Sequence, residues 1–135
     1  MDAYIFPAIF EPSPDGGYCI TFPDLSGCIT EGNTLKEAIY MAKDALELYI
    51  YNLEDGNEDI PVPSSPENVK VSEGSFVVPI EAYMPLIREE MANKAIKKTL
   101  TIPYWLNKLA EYKKVNFSQT LQAALKDQLG IKDYK

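Results

Sequence analysis

The chain has 135 residues, room for one ordinary domain or two small ones. Its apolar fraction of 46% excludes wholesale disorder, and no run of about 18 or more apolar residues is present to span a membrane. The net charge of −7 hides a split: residues 1–90 carry 4 basic and 17 acidic residues, a net −13, while residues 91–135 carry 9 basic and 3 acidic, a net +6.

The chain opens Met1-Asp2-Ala3-Tyr4-Ile5-Phe6-Pro7, with no basic stretch leading into an apolar core. It does not read as a secretory signal, and a cytoplasmic protein is expected. Residues 3–10 predict a first strand, with Pro7 pointing to an edge position or a bulge because it has no N–H for a ladder. Pro12-Ser13-Pro14-Asp15-Gly16-Gly17 is a dense turn signal. Residues 18–22 predict a second strand, with Tyr18, Ile20 and Phe22 on one face. Pro23-Asp24-Leu25-Ser26-Gly27 breaks the chain, and a short third strand is expected at Cys28–Glu31.

Thr34-Leu35-Lys36-Glu37 has the pattern of a capping box. Behind it, Leu35, Ala38, Ile39, Ala42, Ala45, Leu46, Tyr49, Ile50 and Leu53 recur at helical spacing, so the sequence predicts a helix from Thr34 to Leu53 that Asp55-Gly56-Asn57 ends. Its three alanines allow close approach to a sheet. Residues 57–74, with Pro61, Pro63, Pro66 and Gly74, predict a loop. Ser75–Glu81 predicts a fourth strand, and residues 82–95 read equally as a short helix or a hinge.

The last segment changes character. Ile96–Ile102 alternates like a strand, Pro103 suits the first position of a helix, and Leu106, Leu109, Ala110 and Tyr112 give that helix an apolar stripe. Asn116-Phe117-Ser118 predicts a turn with Ser118 as N-cap. Leu121, Ala124, Leu125 and Leu129 stripe a second helix that Gly130 ends.

Cys19 and Cys28 are too few for a disulfide framework and are expected as buried thiols in a reducing compartment. With no histidine in the chain, two thiols make a poor zinc site; neither a metal nor a cofactor is expected. Nucleophilic catalysis by a Ser–His or Cys–His pair is excluded, and Gly16-Gly17 lacks the pattern of a phosphate-cradling loop.

One strand followed by two helices in about 35 residues is too little to bury a core alone, and a lone strand leaves backbone groups unpaired. Two copies resolve both problems by pairing their strands and interlocking their helices. Lys97-Lys98-Thr99-Leu100-Thr101-Ile102-Pro103, followed by Asn116-Phe117-Ser118-Gln119, resembles the ribbon-helix-helix family. That resemblance implies a homodimer, or a higher even oligomer, that lays its ribbon in a DNA groove. By strand parity Leu100 and Ile102 face the shared core with Leu106, Leu109, Leu121 and Leu125, while Lys97, Thr99 and Thr101 face outward toward bases and phosphates. Ser118, opening a helix, is a candidate phosphate contact. The competing reading makes Thr99 and Thr101 ordinary exposed strand residues. Trp105 and Tyr112 fit dimer core better than base-stacking platforms.

A second resemblance lies upstream. Asp15-Gly16-Gly17-Tyr18, Phe22-Pro23-Asp24-Leu25-Ser26-Gly27-Cys28, Thr30-Glu31-Gly32-Asn33-Thr34 and Glu37-Ala38 ahead of the Ala42 and Ala45 helix resemble the N-terminal domain of HicB antitoxins, over roughly residues 3–55. The resemblance implies an α+β chain: a partial ribonuclease-H-like β-β-β-α-β domain at 1–90 and a ribbon-helix-helix domain at 91–135. It also implies an antitoxin, not an enzyme, that covers the active site of a HicA-type RNA-cleaving toxin and represses its own operon at operator DNA. Acidic residues would stand in for substrate phosphates; Asp44, Glu47, Glu54 and Asp55 are the candidates. Two other readings stay open. One is a stand-alone DNA-binding repressor whose acidic module senses a small molecule. The other is a metal-dependent nuclease using Asp15, Asp24 and Glu31, a reading that rests on fold analogy.

Overall fold

A computed structural model describes residues 1–131. The chain divides into two compact units, Met1–Ala95 and a second beginning at Ile96.

The first unit is built from alternating apolar strands and one amphipathic helix. Strands β1 (Ala3–Pro12), β2 (Tyr18–Thr21), β3 (Ile29–Gly32) and β4 (Phe76–Tyr83) form an antiparallel sheet in the order β3-β2-β1-β4. Period-two alternation places Phe6, Ala8 and Phe10 beside Ile20, Ile80 and Ala82 on one face, and all six are buried. Helix α1 (Leu35–Asp55) covers that face with Ala38, Ala42, Leu46 and Ile50, four residues apart and fully buried. Each large aliphatic or aromatic side chain in this layer contributes roughly 1.5–3 kcal/mol. The alanines and Gly32 let α1 lie directly on the sheet: a Cβ at Gly32 would come within 2.5 Å of the Ala38 nitrogen.

β1 is an inner strand only over Ile9–Pro12; at Pro7 it is an edge, as the missing N–H suggests. β2 pairs only with Ile9–Pro12 of β1, so the nitrogen of Pro7 faces no strand. Its cross-strand partner is Pro79 of β4, whose nitrogen points off the sheet edge. Both prolines therefore occupy positions from which no ladder bond is lost.

The cap of α1 forms in half. Thr34 Oγ1 accepts from the Glu37 N–H at 3.1 Å, but no return bond from the Glu37 carboxylate is present among the described residues. The left-handed residue past the helix is Asn57 at φ 54°, not Gly56 at φ −86°. The Pro23–Gly27 turn is held by the Tyr49 hydroxyl, which donates to the Ser26 carbonyl at 2.9 Å. The expected loop after α1 contains one 3-10 turn, Pro66–Asn68. It is pinned at Ser64, whose N–H and hydroxyl donate to the Asp24 carboxylate at 2.9 and 2.6 Å. Residues 82–95, open between helix and hinge, complete β4 and form helix α2 (Met84–Asn93). α2 packs on α1, which carries the first unit past residue 90 to Ala95.

The second unit holds helices α3 (Tyr104–Tyr112) and α4 (Phe117–Leu129). Residues 94–103 form no strand in the single chain, because a ladder needs a second strand to pair with. Pro103 caps α3 rather than opening it. Ser118 is not the N-cap of α4: Asn116 is, its Oδ1 accepting from the Gln119 N–H at 3.0 Å. The asparagine carbonyl reaches the third helical amide from one position outside, whereas Ser118 already lies within the first turn. Gly130 closes α4 at φ 72°, as expected of a left-handed C-cap. No helix among the described residues is long and apolar enough to cross a membrane.

Candidate protein-binding and nucleic-acid interfaces

The four carboxylates expected at a protein interface all lie on α1, but they divide in two. Asp44 and Asp55 are exposed and have no intramolecular bond among the described residues. Glu47 and Glu54 are engaged within the unit. Glu47 Oε2 accepts from the Tyr83 N–H at 2.9 Å and pairs with Lys43 Nζ at 3.1 Å. Glu54 takes Arg88 in a two-point grip, Nε at 3.0 Å and Nη2 at 2.6 Å. Arg88, the single arginine of the chain, also donates to Asp2 Oδ1 at 2.8 Å and to the Met1 carbonyl at 2.6 Å. The hydrogen bond to Glu54, then that to Asp2, drives its pKa still higher, against a smaller opposing effect of desolvation. Asp44 instead lines a small hollow beside α2, about 240 Å³, with Lys43, Glu47, Tyr83, Leu86, Ile87 and Glu90.

Lys43 and Glu47 also cover part of one edge of the sheet. The Met84 N–H donates to the Asp2 carbonyl at 2.7 Å, so even-numbered residues of β4 point at β1 and odd-numbered ones point away. At that outer edge Tyr83 N–H is taken by Glu47, the Glu81 carbonyl by Lys43 Nζ at 3.0 Å, and Pro79 offers no N–H. The i,i+4 spacing of Lys43 and Glu47 was visible as an ordinary helical pair; that it caps a strand more than thirty residues away was not.

In the second unit no described residue is buried. Leu100 is 58% exposed, Leu109 50% and Leu125 49%, with Ile102 and Leu106 also exposed and Leu121 half-buried. Lys97, Thr99 and Thr101 are exposed, as are Trp105 and Tyr112. Ser118 Oγ accepts from Gln122 Nε2 at 3.0 Å, and the Phe117 and Ser118 amides have no partner among the described residues.

Asp15, Asp24 and Glu31 are not brought together: no group of three or more potential metal ligands forms among the described residues, and Asp24 is spent on Ser64. Cys28 is buried under α1, its thiol 3.8 Å from the Ala45 carbonyl, and burial pushes its pKa up to about 11. Cys19 is half-buried.

Residues 6–124, spanning both units, match the profile of the HicB-like antitoxins of bacterial toxin–antitoxin systems. The chain belongs to the HicB-like antitoxin family. It is 31% identical over 135 aligned positions to antitoxin HicB of Escherichia coli K12, covering 93% of this chain and 96% of that one. It is 37% identical over 101 positions to antitoxin HicB 1 of Photorhabdus laumondii, covering 69% of this chain and 64% of that protein. Among solved structures, a chain of a toxin–antitoxin complex from Streptococcus pneumoniae aligns over 93% of this chain and 99% of its own length, at 28% identity and a TM-score of 0.62. The Burkholderia pseudomallei antitoxin HicB shares the fold, with a TM-score of 0.51 at 23% identity over 90% of this chain and 96% of that one. The mixed α+β architecture with one antiparallel sheet is thus that of HicB-like antitoxins.

Proposed function

We propose that this HicB-like chain binds and inhibits a small basic toxin of the HicA type through its acidic first unit. Through a dimer of its second unit it represses its own operon. The observation that carries this reading is the separation of charge onto two compact units within a chain that matches the family across both. The S. pneumoniae relative is itself part of a toxin–antitoxin complex, which supports a toxin as the partner. Of the four candidate carboxylates on α1, Asp44 and Asp55 have no partner among the described residues; Glu47 and Glu54 contribute by holding that surface in shape. The β-β-β-α-β order of the first unit supports the partial ribonuclease-H-like assignment, without a carboxylate cluster for the chemistry.

For the second unit the reading is a ribbon-helix-helix. Support comes from the unpaired backbone of 94–103, the two helices after it, and the exposed stripe from Leu100 to Leu125, which a second copy would cover. Lys97, Thr99 and Thr101 then form the reading face, and the free amides at Phe117 and Ser118 suit a phosphate. Co-expression with a small basic toxin of the HicA type tests the whole proposal. Relief of its toxicity, together with retardation of promoter DNA by the purified chain, is the expected result. A chain that leaves toxicity unchanged refutes the inhibitory role.

A further inference from the structure

Sheet edges carry unpaired donors and acceptors, and proteins ordinarily block them. In this unit the C-terminal part of the β4 edge is covered by Lys43 and Glu47, with Pro79 offering no N–H. The N-terminal half of β1 is not. β2 stops pairing at Ile9, so residues 3–8 have a strand on one side only. The Met84–Asp2 bond fixes which groups are spare: Asp2 points at β4, so Ala3 and Ile5 direct both N–H and C=O to the vacant side. Tyr83, opposite Ala3, confirms this by giving its N–H to Glu47 instead of to β1. None of these groups has a partner among the described residues.

The vacancy has a second wall. Ile60-Pro61-Val62-Pro63 runs past Ala3, Tyr4 and Ile5 and leaves an open hollow of about 500 Å³, with Glu81 at its margin. The two prolines offer no N–H, and no backbone bond joins this wall to β1. Tight positioning comes from elsewhere: Ser64 anchored on Asp24, and Ile60 packed on the core. Ile60–Pro63 thus shares the hollow with Ala3–Ile5 and makes no ladder bond with them.

We propose that this slot receives an extended, cationic segment of the toxin, which adds to the sheet beside Ala3–Ile5 in the line that β2 vacates. Strand addition of this kind takes affinity from main-chain bonds and specificity from alternate side chains. Aliphatic residues of the segment would meet Ile5, Ile60 and Val62. Lysine or arginine would meet Glu81 and the acidic Glu58-Asp59 leading into the wall, in a unit whose residues 1–90 carry a net −13. The inference rests on the toxin-binding reading above and names where on that unit the partner sits.

Proline substitution tests it with little harm to the fold. The Ile5 and Ala3 N–H groups serve no ladder bond, and Pro7 already occupies the equivalent position two residues on. The double variant Ala3→Pro, Ile5→Pro in the full chain should melt near the parent and bind the toxin about tenfold or more weakly. Ile29→Pro, on the open β3 edge, should bind as the parent does. In the unsubstituted chain, amide exchange at Ala3 and Ile5 should be fast alone and slowed by toxin. Unslowed amides in a toxin complex, or a double-proline variant that binds like the parent, would overturn the slot and leave toxin binding standing. Slowing by higher concentration of the chain alone would make a second copy the occupant and also overturn it. An unsubstituted chain that does not bind toxin removes the underlying reading, and the slot with it.

Discussion

Single residues divide by how far their partners lie along the chain. The buried state of Cys28 was legible, because a small apolar side chain beside the Phe22–Gly27 turn had few other places to go. Its thiol is held neutral up to about pH 11 by burial, so the unfolded chain loses this proton first as pH rises. Folding stability from this group is complete below pH 9.0, the ordinary value, and declines as pH climbs toward about 11. The loss is on the order of 2 kcal/mol. Denaturant melts of the parent and Cys28→Ala between those pH values should converge by that amount; parallel curves would contradict it. Arg88 was not legible, since its partners are 34 and 86 positions away. It reads as one more surface charge, yet it ties α1, α2 and the N-terminus together. Arg88→Ala should destabilise the first unit by about 1–2 kcal/mol, the value of charged hydrogen bonds reduced for partial exposure. Urea melts monitored by circular dichroism measure it.

At the scale of elements, periodicity located every strand of the sheet and the long helix, with shifts of a residue or two at their ends. The failures have one cause: sequence shows what a backbone group lacks and not what lies opposite it. Pro7 signals a local edge, and it has one, but nothing in its own sequence says that β2 resumes the pairing at Ile9. The Thr34–Glu37 pattern names a cap without saying that only half of it forms. The 96–102 alternation is strand-like, yet one copy of the chain holds nothing for it to pair with. Close packing is more predictable once seen. α1 rests on β3 through Gly32, where a methyl group would strike the Ala38 backbone. Gly32→Ala should therefore push the helix off the sheet and cost about 1–3 kcal/mol, which a thermal melt would show. An unchanged melting temperature would mean the two elements can separate freely.

Across the whole molecule the charge changes sign near residue 90, whereas the compact units divide after Ala95, which leaves α2 with the first. A chain ending at Ala95 should fold and keep toxin binding while losing operator DNA. Residues 96–135 should sediment as a dimer wherever they are folded, and a folded monomer at micromolar concentration would refute the shared core. Within that unit the two strand faces should separate cleanly. Lys97, Thr99 and Thr101→Ala together should weaken operator binding by roughly 1–3 kcal/mol per lost base contact and flatten its salt dependence, with the melt unchanged. Leu100→Ala should instead lower stability by about 2–5 kcal/mol. Operator titrations at several salt concentrations, paired with melts, tell these apart. The absence of any buried residue in the described part of the second unit also bears on dosage. On the proposed reading the first unit, which has its own core, would act one chain at a time, in simple proportion to the amount made. A unit completed only by a second copy follows the square of that amount when chains are scarce. As supply falls, control of the promoter would then fade sooner than hold on the toxin, so synthesis resumes while protection still lasts.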